Sequence, residues 1–381
     1  MRLRSLLYAL IVALPGVGAG AADFQFGVGV HVGQNRNGLA ATQRALAQLG
    51  VSSFRDDVFW HRIETKRGVL AFPANLKDLD DLVTNAVTQG RRPLLILDYG
   101  NPLYDDGGQI HSPEGIAAYV RYVRFVVRHF RGRVDQFEVW NEWNIGGGGT
   151  PAQKKARHGN PQEYAALLRA AYNAIKAENP SATVIGGAFA GYDYDWIDAF
   201  GRAGGFESLD GFSAHPYVFS AGPARGTPEL ALTHLDELKR RIDHLAPGKD
   251  VRIYVTEEGW PAHAGDHGVS AATVAAYLQR FMLLAMSRPW IAGVWWYDLF
   301  DDGDDAQNKE HRFGLLSKEG AAKPAFQAFI DVRPLLAAPT RPTVETTADG
   351  HIAVVAQRAD GKRVKASWLA TSEQPMQVTP Q

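Results

Sequence analysis

Eight short runs rich in β-branched and aromatic residues recur along the chain, each followed by a segment with helical punctuation. This alternation constrains the fold more than any other feature. The runs cover residues 24–31, 52–56, 93–99, 135–141, 183–188, 211–217, 251–257 and 292–299. Strands that alternate with helices predict a parallel sheet joined by crossovers. Ser112-Pro113-Glu114, Asn160-Pro161-Gln162-Glu163 and Thr227-Pro228-Glu229 each set a capping side chain before a proline, with an acid in the first turn where the helix dipole favours it. Asn75 opens a face of Leu76, Leu79, Val83 and Val87 that Gly90 ends. Eight such units within residues 22–335 fit a closed α/β (β/α)8 TIM barrel better than an open sheet.

The two ends read differently. Over residues 340–381, Thr343–Ala348, His351–Gln357 and Lys362–Trp368 alternate as strands do, with Asp349-Gly350 and Asp360-Gly361 as hairpin turns between them. This predicts a small C-terminal antiparallel β meander of three strands, too slight to stand alone and packed on the barrel. Pro334, Pro339 and Pro342 mark the junction. At the start, Arg2 and Arg4 precede an apolar run from Leu6 to Val17 and the small residues Ala19-Gly20-Ala21. The pattern is that of a signal peptide over residues 1–21, predicting export to the periplasm or medium. Its apolar run is shorter than the roughly 20 residues a membrane span needs.

Composition removes whole classes of chemistry. Lys and Arg number 40 against 41 Asp and Glu, so the basic excess a nucleic-acid binder needs is missing. No cysteine is present, which excludes disulfides, thiolate nucleophiles, iron–sulfur clusters and cysteine-held zinc. His263 and His267 lie four apart, but Gly265 and Gly268 oppose a metal-binding helix there. The stretch from Asp298 fails as a calcium loop, with Phe300 third and Lys309 twelfth, and reads as either another kind of ion site or a solvated loop. Gly27, Gly29 and Gly33 have the wrong spacing for a dinucleotide loop. No metal or organic cofactor is therefore expected, and the chemistry falls to carboxylates, imidazoles and hydroxyls.

In a barrel of this kind, chemistry sits where strands end. The fourth run ends Phe137-Glu138-Val139-Trp140-Asn141-Glu142-Trp143-Asn144, and the seventh ends Thr256-Glu257-Glu258-Gly259-Trp260-Pro261. Strands four and seven stand on opposite sides of an eight-membered ring, so their acids can face each other across its mouth. Glycosidic cleavage needs such a pair, one carboxyl protonated for the leaving oxygen and one ionised for attack. Alternation sends Glu257 and Glu258 to opposite faces, so one of them points into the mouth. Glu138 reads as a buried, ion-paired residue lower in the barrel.

Trp140-Asn141-Glu142 and Thr256-Glu257-Glu258-Gly259-Trp260 resemble the two signatures of clan A retaining glycoside hydrolases. Further matches are Arg55, Trp60-His61-Arg62-Ile63-Glu64, His215-Pro216-Tyr217, Trp296-Tyr297-Asp298, Glu310-His311-Arg312-Phe313-Gly314-Leu315 and Lys323-Pro324. The whole is similar to glycoside hydrolase family 39 and its exopolysaccharide-cleaving relatives, with family 5 cellulases next. It departs from family 39 β-xylosidases in having a small meander where they carry a full accessory β-sandwich. The resemblance implies that Glu142 is the acid/base and Glu257, two positions before Gly259, the nucleophile.

Physical roles for the neighbours follow. Arg55 would hold Glu257 ionised, although it also fits as a counter-charge for buried acids. Tyr217 would donate to the same carboxylate or fill core. Asn141 would donate to the sugar 2-hydroxyl. His215 reads equally as a packed neighbour or a substrate contact. Trp296 would offer a flat face to a sugar ring, with Trp60, Trp143, Trp260 and Tyr104 stacking further along. The loop over residues 145–160, with four glycines and with Lys154, Lys155, Arg157 and His158, reads as a mobile lid for an acidic or polymeric substrate, or as plain surface. The expected partner is an oligo- or polysaccharide; a catalytically silent carbohydrate-binding barrel and a metal-dependent hydrolase on the same fold are the competing readings.

Overall fold

The computed structural model describes residues 23–34, 36–149, 154, 159–358, 360–370 and 372–380. The expected leader over residues 1–21 lies outside them. Strands β1 (Gln25–Gly29), β2 (Ser53–Phe59), β3 (Arg92–Asp98), β4 (Gln136–Val139), β5 (Thr183–Ala190), β6 (Gly211–His215), β7 (Arg252–Glu258) and β8 (Ile291–Trp296) close into a barrel in chain order. All neighbours run parallel, and β1 pairs with both β2 and β8. The expected TIM barrel is therefore the observed one.

Eight long helices among the described residues alternate with the strands: α1 (Leu39–Leu49), α2 (Lys77–Thr88), α3 (Pro113–His129), α4 (Pro161–Glu178), α5 (Tyr194–Arg202), α6 (Pro228–Leu245), α7 (Ala271–Met286) and α8 (Pro324–Leu336). Two of the three proline-led caps form: Ser112 Oγ accepts from the Gly115 amide at 2.9 Å, and Asn160 Oδ1 from Gln162 and Glu163 at 2.9 and 3.0 Å. Thr227 precedes Pro228 without a side-chain cap bond. No helix among the described residues is long and apolar enough to cross a membrane.

The barrel interior changes character from floor to mouth. At the floor the Gln25 and Gln136 amides bond each other, at 2.7 and 3.0 Å. Above them Leu94, Ile185, Tyr254, Ala292 and Trp295 form an apolar plug. Gly27 makes room for it, since a Cβ there would stand 2.6 Å from the Trp295 ring. At the strand ends the interior is polar, with Arg55, Asp98, Glu138, His215 and Thr256 all buried. Buried charges need partners, so this layer is where a site can be assembled.

The C-terminal sheet has four strands, not the three the sequence suggests: β9 (Thr343–Thr346), β10 (His351–Gln357), β11 (Arg363–Leu369) and β12 (Gln377–Pro380), in the order β12-β11-β10-β9. The fourth is short and exposed throughout, so it has no buried face to imprint an alternation. Ile352, Val354, Ala356, Val364, Ala366 and Trp368 turn inward from β10 and β11.

Candidate active site

Beyond β4 the chain turns through Trp140 (φ 70°) and Glu142 (φ 49°), both in the left-handed region that bulky residues seldom adopt. Trp140 Nε1 donates to the Gly147 carbonyl at 3.2 Å, and the Gly147 amide donates back to the Glu142 carbonyl at 2.8 Å. Gly146 and Gly148 take a left-handed φ of 77° and 78°, and two glycines of this loop are also packed closely. A Cβ on Gly147 would lie 2.2 Å from the Asn141 carbonyl oxygen, and one on Gly148 2.4 Å from the Tyr99 ring. Of the expected lid residues, Lys154 lies near enough for its charge to act on Glu142. Lys155, Arg157 and His158 lie outside the described residues.

Beyond Val255, strand β7 breaks simple alternation. Its ladder with β8 shifts register between Val255 and Glu258, and the irregularity lets the consecutive residues Thr256 and Glu257 both face the interior. Glu258 then turns away. It is fully buried, no side chain bonds its oxygens, and burial drives its carboxyl well above the usual range.

Glu257 accepts from Arg55 Nη1 at 2.7 Å and from the Tyr217 hydroxyl at 2.9 Å. The same guanidinium donates from Nε to Glu138 at 2.7 Å and from Nη2 to Asn141 Oδ1 at 2.8 Å. With its oxygen on Arg55, Asn141 turns its amide nitrogen to the Tyr99 hydroxyl at 2.7 Å, leaving one N–H for a ligand. Glu138 is buried and ion-paired, as its position suggested.

The hydrogen-bond directions around His215 locate a proton. The Thr256 hydroxyl donates to Glu138 at 2.9 Å, so His215 Nε2, 3.0 Å from that hydroxyl, carries a hydrogen. His215 Nδ1 lies 3.1 Å from Glu142 Oε1. One proton sits between them, on the imidazolium or on the carboxylic acid. Burial disfavours charge on both, but the negative Glu257 and the bond to Glu142 raise His215, while the same bond and the imidazolium charge hold Glu142 below the usual carboxylate range.

Arg55, Asn141, Glu142 and Glu257 line a cavity of about 370 Å³, whose wall includes Tyr99, Tyr217, Phe219, Tyr297 and Phe313. The structure brings together Glu142, Glu257, Arg55, Asn141, His215 and Tyr217. It separates Trp296 from them: Trp295 fills the barrel, so Trp296 points outward, where it is fully buried with its ring 5.8 Å from Trp260. Trp60, Trp143, Trp260 and Tyr104 are buried as well and do not line the cavity. Of the aromatic wall, Tyr217 is an expected site residue, Tyr297 and Phe313 stand in the matched segments without an assigned role, and Tyr99 and Phe219 are new to the site. Tyr297, one position beyond Trp296, was findable from the period of two, as was Asp57, two beyond Arg55.

Two groups among the described residues stand close enough to hold a cation: Glu142, His215 and Glu257, and His31, Asp298 and Asp302. Each adjoins a cation of the chain itself, Arg55 on Glu257 and Arg36 on Asp302.

No family model matches the chain. A family 39 glycoside hydrolase from Bacteroides cellulosilyticus superposes with a TM-score of 0.75 at 25% identity, covering 93% of this chain and 72% of that one. A β-xylosidase from Caulobacter crescentus shares the fold with a TM-score of 0.63 at 18% identity, over 90% of this chain and 73% of its own. In sequence, 106 residues are 29% identical to β-glucosidase 17 of Arabidopsis thaliana, 26% of this chain but 20% of that protein. The match thus spans about a fifth of the curated relative's length. In its closed barrel, its strand-end residues and its structural neighbours, the chain resembles the clan A glycoside hydrolases, those of family 39 among them.

Proposed function

We propose that the protein is an exported retaining β-glycoside hydrolase that cleaves an oligo- or polysaccharide through a glycosyl ester on Glu257. One observation carries the reading: Glu142 and Glu257 present carboxylate oxygens within 4.8 Å of each other. Direct attack by one carboxylate needs a separation of about 5–5.5 Å, whereas an inverting pair stands roughly 6.5–9.5 Å apart to admit water. The β-glucosidase and β-xylosidase among the similar proteins support a β linkage.

In the first step the proton held between His215 and Glu142 passes through Glu142 to the glycosidic oxygen. The bond from that oxygen to the anomeric carbon breaks as Glu257 bonds to the carbon. The remaining N–H of Asn141 is placed to follow the sugar 2-hydroxyl as charge develops. In the second step water gives a proton to Glu142, and its oxygen displaces the Glu257 ester. The site thereby regains the one proton it began with.

Incubation with an activated 2-deoxy-2-fluoro-β-glycoside should trap an adduct on Glu257, located by peptide mass spectrometry. NMR of the first-formed product should show the β anomer. An α anomer, or labelling of Glu258 in place of Glu257, would refute the assignment.

A further inference from the structure

The cavity wall formed by β2 and β3 holds a second acidic feature that the two-step mechanism does not use. Asp57 lies on the inward face of β2, two residues beyond Arg55, and is 7% exposed where it borders the cavity. Gln34 Nε2 donates to its Oδ2 at 2.8 Å, and the same amide nitrogen meets His31 Nδ1 at 3.1 Å. His31 is anchored in turn on Asp298 at 2.9 Å. This chain fixes the orientation of Asp57.

Behind Asp57 sits Asp98, fully buried, whose two oxygens meet no nitrogen or hydroxyl donor. Of the charged groups around it, the Asp57 carboxylate acts on it most strongly. Burial above all, and then the negative Asp57, push Asp98 well above the usual carboxylate range, so it keeps its proton and leaves Asp57 as the charged member of the two.

The cations near this wall are already committed. Arg55 bonds Glu138, Glu257 and Asn141. His31 bonds Asp298, and Arg36 bonds Asp302. Lys309 lies over the Phe219 ring, 3.4 Å from Glu310. What Asp57 lacks is a donor from the cavity side. A sugar hydroxyl supplies one, and a sugar carboxylate would set like charges together in a poorly hydrated space.

We infer that Asp57 is a specificity residue: it accepts hydroxyl hydrogens of the sugar ring bound beside Glu257, and it excludes uronic acids from that position. The inference rests on the glycosidase reading and deepens it. It also runs against the expectation of an acidic substrate drawn from the loop lysines.

The test compares kcat/KM of the wild type and Asp57→Asn on 4-nitrophenyl β-glucoside, β-mannoside, β-xyloside and β-glucuronide, with melting curves to verify folding. The wild type should prefer a neutral glycoside to the glucuronide. Asp57→Asn should lose about 10–100-fold on that neutral substrate, the usual effect of losing a hydrogen bond to a charged group. Its preference over the glucuronide should narrow by at least about tenfold. If Asp57→Asn does not fold, Asp57→Ser, which removes the charge and keeps a smaller polar group, should narrow the preference in the same direction. A wild type that favours the glucuronide, or a folded variant with an unchanged preference, would overturn the inference alone. Absence of turnover on every substrate, together with no adduct at Glu257, would overturn the glycosidase reading itself.

Discussion

Arg55 donates to Glu257 at 2.7 Å while its other two nitrogens hold Glu138 and Asn141, so one guanidinium fixes three residues of the site at once. A lysine cannot reproduce three directed bonds from a single planar group. Arg55→Lys should fold and lower kcat by about 100-fold or more, with a smaller change in KM. Arg55→Met leaves two buried carboxylates without their counter-charge and should cost about 3–5 kcal/mol in stability. Steady-state kinetics and denaturant titration separate the two effects. An Arg55→Lys enzyme of wild-type kcat would show that the fork geometry is irrelevant to the chemistry.

His215 makes a distinct prediction about pH. In the wild type, one proton is shared by His215 and Glu142, and the Glu257 charge keeps it bound to higher pH than an ordinary imidazole would allow. The pair titrates as a unit, so the alkaline limb of kcat/KM should lie above the ordinary histidine value of about 6.5. In His215→Asn a carboxyl alone must hold the proton, and that limb should move to lower pH. Stability follows the same sign. A raised histidine contributes fully below about 6.5 and loses its contribution as pH climbs through the raised value. That loss should be absent from unfolding curves of the variant.

Much of this architecture was legible because burial imprints a period on the sequence. Most of the eight runs near β1 to β8 are largely apolar, as strands covered by helices outside and a plug inside must be, and the buried charges gather in β2 and toward the strand ends. Glu142 and Glu257 were visible as carboxylates at strand ends. What the sequence concealed are the places where local geometry breaks the period. Trp296 is inside or outside depending on a single residue of register, and the irregularity in β7 puts Thr256 and Glu257 on one side. Asp57 and Asp98 lie 41 positions apart and pair only because parallel strands bring them together. The exposed β12 carries no pattern that burial could write.

The C-terminal sheet is tied to the barrel by a buried ion pair. Arg280 of α7 is fully buried and bonds Glu229 of α6 at 2.6 and 3.1 Å and the Ala370 carbonyl at 2.9 Å. Trp368 Nε1 of β11 donates to the same Glu229 at 2.7 Å. Arg280→Leu should destabilise the protein by about 3–5 kcal/mol, because Glu229 loses its counter-charge, keeping only the Trp368 donor, and the Ala370 carbonyl loses its donor. Limited proteolysis of the variant should release residues beyond 340 before the barrel is cut. A barrel cleaved first would show that the sheet does not depend on this pair.

The loop beyond β4 tests whether its glycines are there for mobility or for contact. The Gly147 amide bonds the Glu142 carbonyl, and a Cβ on Gly147 would fall 2.2 Å from the carbonyl of Asn141. Gly147 does not have a left-handed φ, so Gly147→Ala asks nothing unusual of the backbone at that residue. Its effect is steric and lands on the peptide between Asn141 and Glu142, both of which face the cavity. Displacing an acid/base by about 1 Å costs on the order of 100-fold in rate. Gly147→Ala should therefore lower kcat by about that factor while its melting temperature falls only modestly, since the packing of the barrel core is untouched. A lid that worked by flexibility would give another result: stiffening it would change KM and product release and leave single-turnover chemistry intact. Rapid-quench measurement of the first glycosylation step in Gly147→Ala distinguishes the two, with a slowed chemical step as the expected outcome.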